Sequence, residues 1–156
     1  MTSIAWDGKT LAVDSRASSG NSLSSNAVRK IWDLRYQDVC IHQDKALAIA
    51  LCGSISLMKN YVDALIANDL EKLIQTIPQG RNYNIGGLII GEEFVYEFSD
   101  HYPNYCIWPH YEPVALGSGE PYCRSAMALG LSAGDAVRHA MQFDLATGGI
   151  VYEIKL

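Results

Sequence analysis

Apolar residues in the first part of the chain fall in short runs whose spacing predicts β-strands. Two such runs, residues 3–6 and 9–14, are separated by Asp7-Gly8, and an Asp-Gly pair between strand-like runs is a strong hairpin signal. This hairpin would place Asp14 beside Thr2, because an antiparallel pair folded on such a turn brings its two open ends together.

Residues 30–34 and 46–52 predict two further strands. The second is continuously apolar, as expected for a strand that is covered on both faces. The segment 35–45 between them predicts a longer hairpin tip. Residues 15–26 are rich in Ser and Gly and predict an irregular loop.

The rest of the chain alternates between helical and strand patterns. Apolar residues recur at helical spacing from Ser54 to Ile66, and residues 69–77 predict a second helical piece. The later predicted elements are a hairpin of 84–90 with 93–98, a loop with one short strand over 101–113, a strand at 114–116, helices at 121–129 and 136–143, and a strand at 150–154. Hairpins grouped apart from paired helices predict an α+β fold. Two sheets enclosed by two helical layers would make it a four-layer αββα sandwich.

Composition narrows the function classes. The 156 residues fit one domain, and the net charge of −5 argues against nucleic acid as the main partner. No apolar run is long enough for a membrane span and no signal-peptide pattern is present, so we expect no membrane partner and a cytoplasmic location. The four cysteines show no C-x-x-C spacing, so we expect buried free thiols, no metal and no other cofactor.

Candidate chemistry begins at Thr2, which follows Met1. An initiator Met is normally removed when a small side chain follows it. Removal would leave a hydroxyl and a free amine on one residue, which together form a self-contained nucleophile and base. A Met-Thr start is common, and it becomes informative through the residues that follow it.

Three short blocks, in order, resemble the proteasome β-subunit family, and HslV-like peptidases most of all. The blocks are Thr2-Ser3-Ile4 with Asp14-Ser15-Arg16-Ala17 and Val28-Arg29-Lys30-Ile31, then Leu116-Gly117-Ser118-Gly119-Glu120-Pro121-Tyr122, then Asp144-Leu145-Ala146-Thr147-Gly148-Gly149. The resemblance covers nearly the whole chain. It implies a single N-terminal nucleophile hydrolase domain over residues 1–156.

The resemblance also implies a role for each matching residue. Thr2 would be the nucleophile, Lys30 would sit beside its hydroxyl, and Asp14 would hold Lys30 in place. The residues that would surround and place the N-terminal amine are Ser118, Asp144 and Thr147. At the last of these positions the family more usually has Ser.

Three positions depart from the family pattern. Ala50 stands where the family has the Gly that gives its backbone N–H to the oxyanion, and a shifted register would give this role to Gly53 instead. Ala48 falls where the family lines its first specificity pocket, which implies a roomy, apolar pocket. The segment 35–45 is longer than the corresponding family turn.

The function that the resemblance implies is a threonine endopeptidase. It would cleave unfolded polypeptides inside a self-compartmentalising, homo-oligomeric ring or pair of stacked rings. The chain has no G-x-x-x-x-G-K-[ST] motif, so an ATP-dependent unfoldase would have to be a separate chain. Two alternatives remain open: a catalytically silent structural subunit of the same fold, and a small-molecule amidase on the same scaffold. Taken singly, Asp14 could cap the loop after it and Lys30 could be a solvated strand-edge residue.

Overall fold

A computed structural model describes residues 2–20, 22–69, 85–101, 104–110 and 113–156, with the backbone alone at 100, 101, 104–106 and 108. The helical piece predicted at 69–77 lies, from residue 70 onward, outside the described residues. The described strands are β1 (Ser3–Trp6), β2 (Thr10–Val13), β3 (Ala17–Ser19), β4 (Ser22–Ser25), β5 (Ile31–Asp33), β6 (Cys40–Ile41), β7 (Asp44–Gly53), β8 (Ile85–Gly91), β9 (Val95–His101), β10 (Asn104–His110), β11 (Val114–Gly117) and β12 (Tyr152–Lys155). The described helices are α1 (Ile55–Ile66), α2 (Glu120–Ala128) and α3 (Ala133–Ala140).

The strands form two main antiparallel sheets. The first has the order β11-β1-β2-β12, and the second has the order β10-β9-β8-β7-β5, with β6 also paired to β7. A separate hairpin joins β3 to β4. Helices together with antiparallel sheets confirm the predicted α+β class.

The first hairpin forms where the Asp-Gly signal placed it. Asp7 closes the turn, because its Oδ1 accepts hydrogen bonds from the backbone N–H groups of Lys9 at 2.9 Å and Thr10 at 2.8 Å. Gly8 adopts a φ of +94°, which an L side chain rarely tolerates. β1 and β2 then pair in the register Ile4 to Val13, so the residue before β1 and the residue after β2 lie at the same end.

The core consists of three apolar clusters separated by the sheets. Side chains alternate along β1, so Ile4 and Trp6 join β7 and β8 residues between the two sheets, whereas Ala5 packs with α2 and α3 residues. A third cluster lies on the opposite face of the second sheet, where it includes Met58 and Tyr61 of α1. Among the described helices, α1 therefore packs with residues of the second sheet, and α2 and α3 pack with residues of the first.

Several segments differ from the sequence prediction, among them the last helix, which spans Ala133–Ala140 rather than 136–143. The Ser- and Gly-rich segment 15–26 contains the β3–β4 hairpin, and the segment 101–113 contains a seven-residue strand, β10. β4 is mostly exposed, so no apolar alternation marked it in the sequence. Among the described helices, none combines the length and the apolar character that a membrane crossing needs.

Candidate active site

The first hairpin brings Asp14 against the start of the chain, as predicted. The backbone N–H of Asp14 donates to the carbonyl oxygen of Ser3 at 3.2 Å. In return, the N–H of Ser3 donates to Oδ1 of the Asp14 side chain at 3.1 Å. The carboxylate therefore lies one residue from Thr2.

Lys30 lies just before β5 and points inward. Its side chain is fully buried, and its Nζ donates to Oδ1 of Asp14 at 2.9 Å and to the carbonyl oxygen of Arg16 at 2.6 Å. The N–H of Ser3 and the Nζ of Lys30 thus share one carboxylate oxygen, which brings the ammonium close to the residue after Thr2. The alternative of a solvated strand-edge lysine is therefore wrong.

The second oxygen of Asp14 is also fully used. Oδ2 accepts from the backbone N–H groups of Arg16 at 3.1 Å and Gly148 at 3.0 Å. Four donors around one buried carboxylate fix its orientation, and with it the position of the Lys30 ammonium. The link through Gly148 also ties the first hairpin to the segment that precedes β12.

Burial lowers the pKa of Lys30 from its ordinary value of 10.5, even though the charge and hydrogen bond of Asp14 act in the opposite direction. Removal from water penalises the ammonium more than the neutral amine. The proton on Nζ is therefore easier to remove than the proton of a solvated lysine.

Thr2 contains the most unusual polar atom of the described chain. The residue is 1% exposed, and its Oγ1 is buried with no hydrogen-bond partner among the described residues. Its carbonyl oxygen, in contrast, accepts from the backbone N–H of Ser118 at 2.9 Å. Buried hydroxyls nearly always find a partner, so an orphaned one calls for an explanation.

Ser118, Asp144 and Thr147, which lie far apart in the sequence, form one hydrogen-bonded group next to Thr2. The hydroxyls of Ser118 and Thr147 both donate to Oδ2 of Asp144 at 2.6 Å. Burial alone would raise the pKa of Asp144, but the hydrogen bonds from these two hydroxyls and from the N–H of Ala146 lower it. Asp144 therefore holds a negative charge close to the first residues of the chain.

Ser3, to which the family resemblance assigns no role, belongs to the same group. Its Oγ lies 2.6 Å from Oγ1 of Thr147. Ser3 shares the face of β1 with Ala5, and the period of two along the strand could have predicted that its hydroxyl faces the helices. It extends the network from Asp144 to β1.

The two glycines of Gly117-Ser118-Gly119 are required by close packing. Gly117 has a φ of +91°, and a Cβ there would overlap the carbonyl oxygen of Thr2. A Cβ at Gly119 would overlap the hydroxyl of Ser3. The motif thus lets the backbone approach the start of β1 closely enough for Ser118 to bond to it.

The residues proposed for the oxyanion hole and the pocket lie in different surroundings. Ala48 and Ala50 are fully buried in the cluster between the sheets, and Ala50 pairs with Ile31 on one side and Leu88 on the other. Gly53 is the last residue of β7, is exposed, and has a φ of +108°.

A cavity of about 310 Å³ lies at this end of the sheets. Gly53 and Gly117 both line it, together with Cys52 and Glu97. Gly117 abuts the carbonyl oxygen of Thr2, so the cavity is separated from Thr2 by Gly117; Thr2 itself is not among the described lining residues. Ala48 and Ala50 are not among its lining residues.

The described part of the chain offers no group of three or more His, Cys, Asp or Glu side chains that could hold a metal ion. Cys40, Cys52 and Cys123 are free thiols, and Cys123 is buried as expected, whereas Cys40 is exposed. The side chain of Cys106 lies outside the described residues. Burial raises the pKa of the Cys123 thiol to about 12, so this thiol is not ionised at neutral pH.

No family model matches the sequence, and no curated protein matches it. Solved structures do match the fold. BPH from Thiobacillus denitrificans in complex with epoxomicin has a TM-score of 0.66 at 17% identity, over 99% of this chain and 97% of that one. Eukaryotic HslV from Trypanosoma brucei has a TM-score of 0.60 at 21% identity, over 100% of both chains. Anbu (ancestral beta-subunit) from Yersinia bercovieri has a TM-score of 0.62 at 13% identity, over 99% of this chain and 80% of that one.

These identities are low, so the similarity concerns the fold alone. All three neighbours have the proteasome-like N-terminal nucleophile hydrolase fold. The resemblance that the sequence motifs indicated is confirmed at this level: the chain has that fold.

Proposed function

We propose that the chain is a threonine endopeptidase whose nucleophile is Oγ1 of Thr2, freed for catalysis by removal of Met1. The observation that carries the proposal is the buried, unpartnered hydroxyl of Thr2 beside the buried pair of Lys30 and Asp14. Leaving a buried hydroxyl without a partner costs free energy. This cost is explained if the hydroxyl must remain available to react with a substrate.

The reaction follows from an alcohol with a neighbouring base. Oγ1 of Thr2 attacks the carbonyl carbon of the scissile bond, and its proton passes to the Thr2 amine or to Lys30. The C–N bond then breaks as the leaving nitrogen takes up that proton, which leaves an ester between Thr2 and the acyl half of the substrate. A water molecule attacks this ester, releases the acid and returns the hydroxyl proton to Oγ1.

Lys30 and Asp14 have different roles in this scheme: Lys30 transfers a proton, and Asp14 orients Lys30. The lowered pKa of Lys30 makes its neutral amine accessible nearer to neutral pH, so that it can take part in the proton transfer. Asp14 orients Nζ and is itself held by three backbone N–H groups.

The group formed by Ser118, Asp144 and Thr147 would place the N-terminal amine. Asp144 carries a negative charge, and the two hydroxyls fix its orientation. Such a carboxylate attracts the protonated amine and holds it near Thr2 Oγ1. The hydrogen bonds that lower the pKa of Asp144 make it a weak base, so it does not take the proton from the amine.

For the oxyanion hole we favour the backbone N–H of Gly53 over that of Ala50. Gly53 is exposed and borders the cavity that Gly117 also lines, so a substrate can reach it. Ala50 is fully buried between two paired strands, where no substrate carbonyl has access. Ala48 is also fully buried, so it would affect the shape of a specificity pocket only indirectly, through the residues that pack on it.

The four-layer αββα arrangement is part of the proposal, and the three apolar clusters on successive faces of the two sheets support it. We also propose that copies of the chain assemble into a ring fed by a separate ATP-dependent unfoldase. Exposed apolar side chains near the end of α3 and after it, Phe143 and Leu145, offer surface for contacts between copies. Free thiols suit a reducing cytoplasm.

A covalent probe tests the nucleophile. A peptide vinyl sulfone adds a hydroxyl across its double bond, so we expect mass spectrometry of the processed protein to find the adduct on Thr2. Intact mass must first show that Met1 has been removed. The Thr10→Ala variant, which changes a threonine of β2, should still be labelled, whereas Thr2→Ala should not. Labelling that survives Thr2→Ala would refute the proposed nucleophile. A protein that sediments as a monomer would contradict the ring.

A further inference from the structure

The cavity that Gly53 and Gly117 line contains a carboxylate that the proposed reaction does not use. Glu97 lines this cavity together with Cys52 and four glycines, Gly53, Gly86, Gly87 and Gly117. Among the described lining residues, Glu97 is the only one that carries a charge at neutral pH. Its side chain is 22% exposed, so a ligand can reach it.

The direction of the Glu97 side chain follows from the pleat of β9. Tyr96 and Phe98 pack into the cluster against α1, whereas Val95 packs into the cluster between the sheets. Glu97 shares the face of Val95, because side chains alternate along a strand. It therefore faces the gap between the two sheets, at the end where Gly117 meets Thr2.

Glu97 keeps acceptor capacity in this position. Its Oε2 lies 2.7 Å from Nε2 of His110, and within the described residues Oε1 has no hydrogen-bond partner. A carboxylate has about four lone-pair sites, so one bond from His110 leaves room for a further donor. The ammonium of Lys30, whose charge also acts on the Cys52 thiol, is paired with Asp14.

The charge of Glu97 acts on Cys52, another residue that lines the cavity. Burial raises the pKa of the Cys52 thiol, and the negative charge of Glu97 adds to that rise. The field of the carboxylate thus reaches the residue before Gly53, the candidate oxyanion donor. A cation that enters the cavity would experience the same field as attraction.

We propose that this cavity binds the basic side chain, Arg or Lys, of a substrate residue that flanks the scissile bond, with Glu97 as the specificity-determining residue. The proposal rests on the proposed peptidase function. The glycine walls leave space for an apolar side-chain stem, and a cavity of about 310 Å³ is at the lower end of the range for ligand pockets. It suits one long side chain rather than a whole peptide segment.

Turnover of matched peptides provides the first test. Peptides with Arg on either side of the cleaved bond are compared with the same peptides carrying citrulline, the neutral isostere of Arg. For the wild-type protein we expect kcat/KM to be about 10- to 100-fold higher for Arg at one of the two positions, since a hydrogen bond to a charged group contributes this much. Glu97→Gln should remove the preference and leave the citrulline peptides unchanged. Glu93→Gln, which removes the same charge from the exposed β8–β9 turn, should keep it.

Binding to Thr2→Ala provides the second test and does not depend on turnover. In calorimetric titration, the Arg peptide should bind this variant about 10-fold or more tightly than the citrulline peptide, and Glu97→Gln should abolish the difference. If peptides are cleaved without any preference that Glu97 controls, the specificity proposal is wrong and the peptidase proposal stands. If the Arg peptide binds through Glu97 but nothing is cleaved, the peptidase proposal is wrong and the basic-ligand site stands. Equal binding of both peptides would overturn the site.

Discussion

Replacing Lys30 with Met tests the pairing on which the candidate site depends. Met has nearly the length of Lys but no charge, so it fills the same buried space and removes only the ammonium. The change leaves Asp14 buried with three donors, all of them backbone N–H groups, instead of four. Two consequences can be measured separately, one on stability and one on turnover.

The stability effect can be bounded from the structure. Removing one partner of a buried ion pair typically costs about 3–5 kcal/mol, because the other charge is left uncompensated. Three remaining N–H donors still stabilise the Asp14 carboxylate, so we expect a value near the lower bound, about 3 kcal/mol. A double-mutant cycle with Asp14→Asn should give a coupling energy on the order of 2 kcal/mol, as for directly bonded groups.

The effect on turnover should be larger. If Lys30 takes part in the proton transfer, Lys30→Met should lower kcat by roughly 10²- to 10⁴-fold, the usual contribution of a positioned acid or base. KM should change little, because no contact between Lys30 and the substrate is proposed. Probe labelling of Thr2 should slow in parallel.

Urea denaturation and peptide turnover are the assays, and Lys59→Met is the matched control. Lys59 is 75% exposed and pairs with Asp63 on the surface of α1, so this change should cost less than about 1 kcal/mol and leave kcat unchanged. The reasoning would be refuted if Lys30→Met unfolded at the same urea concentration as the control and kept its turnover.

Three further predictions concern pH, the hydroxyl network and a glycine. The native pKa of Lys30 is lowered, so between that value and 10.5 the unfolded chain binds a proton that the native chain lacks, and the free energy of unfolding should rise with pH through this window. Turnover should rise as the pH passes through the native pKa of Lys30 and level off above it, and Lys30→Met should flatten both profiles; an unchanged rise in the variant would assign it to another group. Thr147→Val, which loses the bonds to Asp144 and Ser3, should cost about 1–3 kcal/mol in thermal denaturation and lower kcat, whereas Thr147→Ser should restore both; equal defects in the two variants would rule out the hydroxyl. Gly117→Ala should destabilise more than Gly130→Ala, because both sites have a φ near +90° but only Gly117 abuts other atoms; the second change should cost about 1 kcal/mol, and equal melting temperatures would show that the close approach to Thr2 is unimportant.

The parts of the site that could be predicted from the sequence are those set by local signals. Asp7-Gly8 determines the first hairpin, and that hairpin alone places Asp14 beside the start of β1. The N-cap of α3 is equally local, since the hydroxyl of Ser132 accepts from the N–H of Asp135, three residues later, at 3.2 Å. In both cases the interacting residues are close in the chain, so their spacing carries the information.

Strand register across the sheet could not be predicted in the same way. The continuous apolar run of β7 gave no indication of which residue reaches the edge of the site. The structure ends β7 at Gly53 and buries Ala50 three residues earlier. An apolar strand that is covered on both faces lacks the alternation that would fix its orientation, so Ala50 and Gly53 could not be distinguished from the sequence.

Burial of charge is the property that sequence patterns represent least well. An isolated lysine before a strand is usually solvated, and nothing around Lys30 in the sequence predicts that it is fully buried. Its burial depends on Asp14, sixteen residues earlier, and Asp14 in turn is held through Gly148, near the other end of the chain. Glu97 could not be identified for a related reason: the alternation of β9 predicts its face, but only the packing of the sheets brings that face to the cavity that Gly117 also lines. The chemistry of the site is therefore distributed among residues that become neighbours only when the two sheets pack together.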